Sequence, residues 1–250
     1  MNHMTMLGFQ MQEEDDFLEL ANTVYERGNL IRTAKGAYVR FEAGGGAELW
    51  LQLNAEGVAI GMQPHFTGAG LMRIGIEAEV MREEGSELDG TFYAWAEPEN
   101  AGEKLYSFVF DLPDRDHYGP LTQPMLQYVQ LAAFAHDINV FANEVEYEHY
   151  QLSQSLVAPI IPAQSFLSTG LNDDGGEDIS TAKFSGTVLR AGWIKNELTG
   201  RYFQWALVRT YGGDIDVVAD ETLIEGREIH EGDVLNGTFW LSGRLVEAPQ

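Results

Sequence analysis

Cysteine is absent from the 250 residues, so disulfides, thiolate metal sites and cysteine nucleophiles are all excluded. Positive charge is scarce: 15 Lys and Arg stand against 39 Asp and Glu, a formal net of −24. That imbalance opposes bulk binding to phosphate backbones or anionic membrane surfaces, because like charges repel at encounter. No apolar run approaches the roughly 20 residues that a membrane-spanning helix needs. The opening Met1-Asn2-His3-Met4-Thr5-Met6-Leu7 has no basic stretch leading into an apolar core, so it does not read as a secretory leader. The expectation is a cytoplasmic protein without membrane contact, and the lack of cysteine agrees with a reducing compartment. Several catalytic signatures are missing too: the zinc-protease His-Glu-x-x-His helix, the Gly-x-Ser-x-Gly elbow and the dinucleotide glycine fingerprint.

What is present is an ordinary folding composition, long enough for one large domain or two small ones. Phe17, Leu20, Ala21, Val24 and Tyr25 recur at helical spacing, and Glu13, Glu14, Asp15 and Asp16 crowd the positive end of that helix. Gly28-Asn29 stops it. The period then becomes two. Tyr38–Glu42 and Glu48–Leu53 read as strands, with Leu49, Leu51 and Leu53 on one face and Gly44-Gly45-Gly46 as the turn between them. Strands continue over Val58–Met62, Met72–Met81, Gly90–Ala96 and Tyr106–Leu112. Leu126–Phe141 fits helix and strand equally, because Ala-rich apolar runs suit both. Asn143 with Glu146 starts a short helix to about Gln151. Asn172–Asp178 is acidic and glycine-rich, and reads as a linker. Phe184–Ile194 and Arg201–Tyr211 form a hairpin around Asn196–Gly200, followed by strands at Asp214–Ala219 and Val234–Val246.

Two blocks look alike. Leu88-Asp89-Gly90-Thr91-Phe92-Tyr93 matches Leu235-Asn236-Gly237-Thr238-Phe239-Trp240, and Glu48–Leu53 matches Tyr202–Leu207 approximately. Each block belongs to a run of about five short strands, which resembles an oligonucleotide/oligosaccharide-binding (OB) fold, a five-stranded barrel. The resemblance is good over 183–247 and poor over 36–97. The whole chain resembles uncharacterised bacterial families with tandem OB-like barrels, and that resemblance implies no function. The expected fold is therefore mainly β (β-rich α+β): two small OB-like barrel units related by an internal duplication, led by an amphipathic helix. The expected divisions are 1–30 for the helix, 31–112 for the first unit, 113–178 for a mixed middle and linker, and 179–250 for the second unit.

Strand alternation puts Tyr93 and Trp95 on the expected outer face of one copy, and Trp240 and Tyr202 on the outer faces of the other. Rings of that size need cover, either from the chain's own packing or from stacked bases or sugars. Residues 1–179 carry 29 acids against 8 bases, whereas 180–250 carry 10 against 7. A local basic groove with Arg190, Arg201, Arg209 and Arg244 is thus conceivable only in the C-terminal copy, and nucleic acid is a minor expectation even there.

Among ligand-type clusters, His136, Asp137, Glu144 and Glu148 are the densest set that could hold zinc or manganese. The plainer reading is an exposed acidic helix face. Asp173, Asp174, Glu177 and Asp178 depart from the twelve-residue calcium pattern. His65, in Gln63-Pro64-His65-Phe66, reads as a loop residue. No nucleophile, base and orienter fall together, so no catalytic residue and no cofactor is assigned. The leading expectation is a non-catalytic protein that binds a basic protein partner through complementary potentials. The alternatives are an OB-like module for single-stranded nucleic acid or oligosaccharide, and a metal-dependent hydrolase.

Overall fold

A computed structural model describes residues 2–11, 13–80, 85–97, 104–155, 159–171, 179–224 and 227–248. The chain is mainly β with a helix near its N-terminus, as the patterning implied. It opens with a 3-10 turn, His3–Leu7, which the sequence did not announce. Helix α1 (Glu14–Arg27) follows. Strands β1 (Asn29–Arg32), β2 (Ala37–Glu42), β3 (Ala47–Leu53) and β4 (Ala59–Phe66) make a four-stranded antiparallel sheet in chain order. The remaining strands are β5 (Met72–Glu79), β6 (Thr91–Ala96), β7 (Ser107–Asp111), β8 (Met125–Phe141), β9 (Ser165–Ser168), β10 (Thr181–Lys195), β11 (Tyr202–Thr210), β12 (Gly213–Asp220) and β13 (Val234–Val246). They form a nine-stranded sheet, and α2 (Glu144–Gln154) lies between β8 and β9.

Local chemistry explains the helix ends. The Asp16 carboxylate accepts the Glu13 amide at 3.0 Å, and Asn143 Oδ1 accepts the Glu146 amide at 3.0 Å. Of the apolar stripe on α1, Leu20 and Val24 are buried, while Phe17 and Tyr25 sit at its exposed edges. The helix rests on the face of the small sheet formed by Val39, Phe41, Leu49 and Leu51. The sheet's two edges are blunted, β1 by its shortness and Arg32, and β4 by Pro64, which edge strands tolerate.

The large sheet closes on itself. β8 and β13 pair antiparallel over 128–141 and 234–246. The free edge of β8 takes β5 along residues 125–129 and β12, in parallel, along 132–134. The free edge of β13 takes β10 along 234–240 and meets β7 at Ser242. One ring is therefore β8-β5-β6-β7-β13, and the other is β8-β12-β11-β10-β13. Ala132, Ala133 and Ala135 are wholly buried in this crossing strand, as are Leu131 and Phe134. The pairing settles the ambiguous 126–141 run as strand.

The structure differs from the expected divisions. Strands from the 31–112 span are split, with β1–β4 in the small sheet and β5–β7 in the large one. The 179–250 strands close a ring only with β8 from the middle segment. The look-alike blocks also fall at unlike places: Thr91–Tyr93 begin β6, the second strand of a meander, whereas Leu235–Trp240 lie in the shared β13. Asp-Gly and Asn-Gly entries to a strand recur for turn reasons alone. The expected linker 172–178 lies outside the described residues.

Overpacking the crossing should be costly. Ala133→Leu is expected to lose about 1–3 kcal/mol, read as a lower urea midpoint. Leu126→Ala, on the same strand but half exposed, should move it by less than about 0.5 kcal/mol.

Candidate functional site

A cleft of about 860 Å³ opens between the N-terminal turn, β4 and the crossing strands β8 and β13. Its floor holds the wholly or largely buried Asp111 and Trp240. Asp111 accepts from Trp240 Nε1 at 2.7 Å, Thr91 Oγ1 at 2.6 Å and Ser180 Oγ at 2.7 Å. His3 lies on the Trp240 ring, with centroids 4.2 Å apart and planes 2° from parallel. His3 Nε2 meets His136 Nε2 at 2.9 Å. The two imidazole centroids are 5.1 Å apart and the planes differ by 10°, so the rings lie end to end with the nitrogens facing. His136 is the extra residue of a β-bulge, since Thr238 pairs Asp137 and Phe239 pairs Ala135. Burial, and then the neighbouring His136, pushes His3 down to about 4, and burial lowers His136 too. The pair is therefore neutral near pH 7, one ring donating and the other accepting.

That geometry disfavours a metal between them. Two nitrogens each about 2.0–2.1 Å from one tetrahedral metal stand about 3.3 Å apart, wider than the 2.9 Å found here. The proposed ligand set does not converge either. His136 lines this cleft, while Asp137 lines a separate cavity beside α2, and Glu144 and Glu148 are exposed on that helix. Among the described residues, no three His, Cys, Asp or Glu side chains group to hold a metal ion. Asp173, Asp174, Glu177 and Asp178 lie outside the described residues.

The expected stacking rings are largely covered by the chain itself. Trp240 carries His3. Trp95 is buried over Gly75, with Lys104 Nζ 3.8 Å from its ring centre. Tyr93 is half-buried, and Tyr202 alone of the four is well exposed. The Phe203–Trp205 face of β11 is closed by Phe66 of the small sheet, at 6.1 and 6.3 Å between centroids. The four arginines do not assemble. Arg209 pairs with Asp214 at 2.9 Å and Arg244 with Asp114 at 3.1 Å. Arg190 lies over Trp205, and Arg201 is exposed.

The residues that matter most to the architecture were overlooked. His65 is not in a loop but wholly buried in β4. Gln130 Nε2 donates to Asp216 at 2.8 Å, so its Oε1 must accept from His65 Nε2, 2.9 Å away. His65 Nδ1 is then the acceptor for the Ser242 hydroxyl at 2.9 Å. A serine hydrogen-bonded to a histidine has the spacing of a nucleophile and its base. Both residues here are sealed from solvent, so no substrate reaches them and the pair reads as structural. Beside it, Glu48 accepts from Arg40, Thr67 and Trp50. Burial works against the Glu48 charge, but the Arg40 hydrogen bond and the other donors outweigh it and hold the carboxyl below its ordinary range. Burial raises Asp114, although Arg244 opposes the shift. The available signal was the alternation in Glu48-Leu49-Trp50-Leu51-Gln52-Leu53. It puts Glu48, Trp50 and Gln52 together on a second face, and all three are buried.

The two rings treat their carboxylates alike. Asp111 stands opposite Ser242, and Asp216 opposite Ala132. Each accepts from the side chain two residues earlier on that long strand, Trp240 or Gln130. Each also accepts from the segment entering the other ring: Ser180 before β10, and the Ala69 and Gly70 amides before β5, at 3.1 and 2.7 Å. Finally, each takes a donor from its neighbouring meander strand, Thr91 or Trp205.

No protein-family model, curated protein or solved structure matches the chain.

Two outcomes follow. Burial pushes His65 down from 6.5 to about 4, so between those values the unfolded chain takes up a proton that the folded one refuses. Its contribution to stability is present above pH 6.5 and lost as pH falls toward 4. The stability advantage of wild type over His65→Gln, from urea melts, should shrink by up to roughly 3 kcal/mol across that window. Asp216→Asn should cost about 2–3 kcal/mol at pH 7, because its amide leaves buried donors facing another donor, and chemical denaturation measures the loss.

Proposed function

We propose that this is a non-catalytic interaction protein that engages a basic protein partner through its acidic exterior. The supporting observation is where its few cations go. Arg40, Arg73, Lys104, Arg115, Arg209, Arg227 and Arg244 are each ion-paired with carboxylates of the chain itself. By contrast, Asp15, Glu19 and Glu26 on α1 and Glu144 and Glu148 on α2 are exposed and, among the described residues, pair with no cation. An outside partner of opposite sign would find its charges unspent, and long-range attraction would speed encounter.

In the same reading the two rings are OB-like barrels that arose by internal duplication and exchanged their final strands. The matched Asp111 and Asp216 surroundings support that relation better than the look-alike blocks do. A stacking role for a single nucleic-acid strand or a sugar keeps less support. Of its expected rings, Tyr202 is the exposed one, and two of its four arginines are bound to the chain's own acids. The metal-dependent hydrolase is not carried forward, because its four ligands stand apart.

Affinity capture followed by kinetics at varied salt tests the proposal. The expected result is a partner with basic pI whose association rate falls at least about tenfold between low and high salt, and again with Glu144→Lys/Glu148→Lys. Capture of no basic partner, or an association rate insensitive to salt, would refute it.

A further inference from the structure

The structure assigns a second, small-molecule site: the groove beyond the C-terminal end of α1 takes an amphipathic organic anion, a carboxylate carrying an apolar body. The groove encloses about 560 Å³, within the usual range of ligand pockets. It exists because α1 is too short for the sheet beneath it. Leu20 and Val24 cover the upstream part of the apolar face, but the Gly28 amide closes on the Val24 carbonyl and the chain turns away into β1. The continuation of that face, at Val39 and Leu53, is left without a helix above it and lines the groove.

β1 supplies the selectivity. Leu30 pairs with Val39, and Arg32 pairs with Ala37. Both side chains therefore stand on the same face of the sheet as the apolar floor, Leu30 near the helix end and Arg32 at the hairpin end. Arg32 is exposed and, among the described residues, joins no ion pair, whereas Arg40, Arg115, Arg209 and Arg244 are neutralised internally. Among the described residues no Asp or Glu lines the groove, on a chain of net charge −24. A carboxylate at the Arg32 end meets the guanidinium. It also stays clear of the partial negative charge where α1 ends, near Gly28. The apolar body then lies along Leu30, Val39 and Leu53, with Tyr25 at the rim.

Calorimetric titration of the full chain with octanoate, octanol and inorganic phosphate tests this assignment. Octanoate should saturate at one per chain, with octanol and phosphate each weaker by at least about tenfold. Arg32→Gln and Leu30→Asp should each weaken octanoate by about tenfold or more. Both positions are exposed, and an unchanged urea midpoint in each variant separates lost binding from lost folding. No saturable octanoate binding, octanol or phosphate binding as well as octanoate, or full binding by Arg32→Gln would overturn the assignment.

Discussion

Strands β8 and β13 hold each other antiparallel, and each divides its outer edge between two rings. Everything else is arranged around that crossing. A strand that serves two barrels must be long, must have small side chains where the walls converge, and must be fixed in register. Length comes from the 125–141 and 234–246 runs, and space from the buried alanines. Register is a harder problem, because a slip of one residue turns every side chain to the other face. Asp111 and Asp216 answer it. Each carboxylate accepts donors from the long strand, from its own meander and from the segment entering the opposite ring, so a shifted strand would strand a buried charge.

The same logic binds the small sheet to the rings. Its polar face carries Glu48, Trp50 and His65 against Ser242, Gln130 and Arg244. Apolar residues at these positions would serve stability as well or better, since desolvating charges is expensive. What the network adds is a unique docking position, because hydrogen bonds among neutral His65, Gln130 and Asp216 have one consistent donor order. The N-terminal turn completes the seal. Asn196 Nδ2 donates to the Leu7 carbonyl at 2.8 Å and Thr199 Oγ1 to that of Gly8 at 2.8 Å, while His3 covers Trp240.

Much of this was legible and some of it was not, for physical reasons. Periodicity marked α1, most strands and the need to cover large rings, because those features depend on neighbours in sequence. The partition into two consecutive barrels was not legible correctly, because ring closure depends on which distant strand supplies the last edge. The 88–93 and 235–240 blocks resemble each other as strand entries, not as equivalent strands. The alike surroundings of Asp111 and Asp216 set Trp240 against Gln130, residues of different type, and leave no contiguous motif to match. His65 hid behind Pro64, which ordinarily marks a break but is harmless on an edge strand. The residues of the metal set around His136 stand apart because a bulge sends neighbouring side chains to different cavities.

The covering of aromatics and the acidity of the exterior are two sides of one arrangement. A chain with few cations cannot spread them over its surface and also neutralise carboxylates buried between layers. Here Arg40 and Arg244 go inward, to Glu48 and Asp114. That use lets a polar face stand buried between the small sheet and the rings, and the sheet in turn closes the Phe203–Trp205 face with Phe66. Among the described residues, Asp15, Glu19 and Glu26 on α1 and Glu144 and Glu148 on α2 are left without an internal counter-charge. Surface potential is thus a consequence of how the layers are fastened. Arg32 is one of the exposed cations that take no part in that fastening, and it is the one that lines the groove beyond α1.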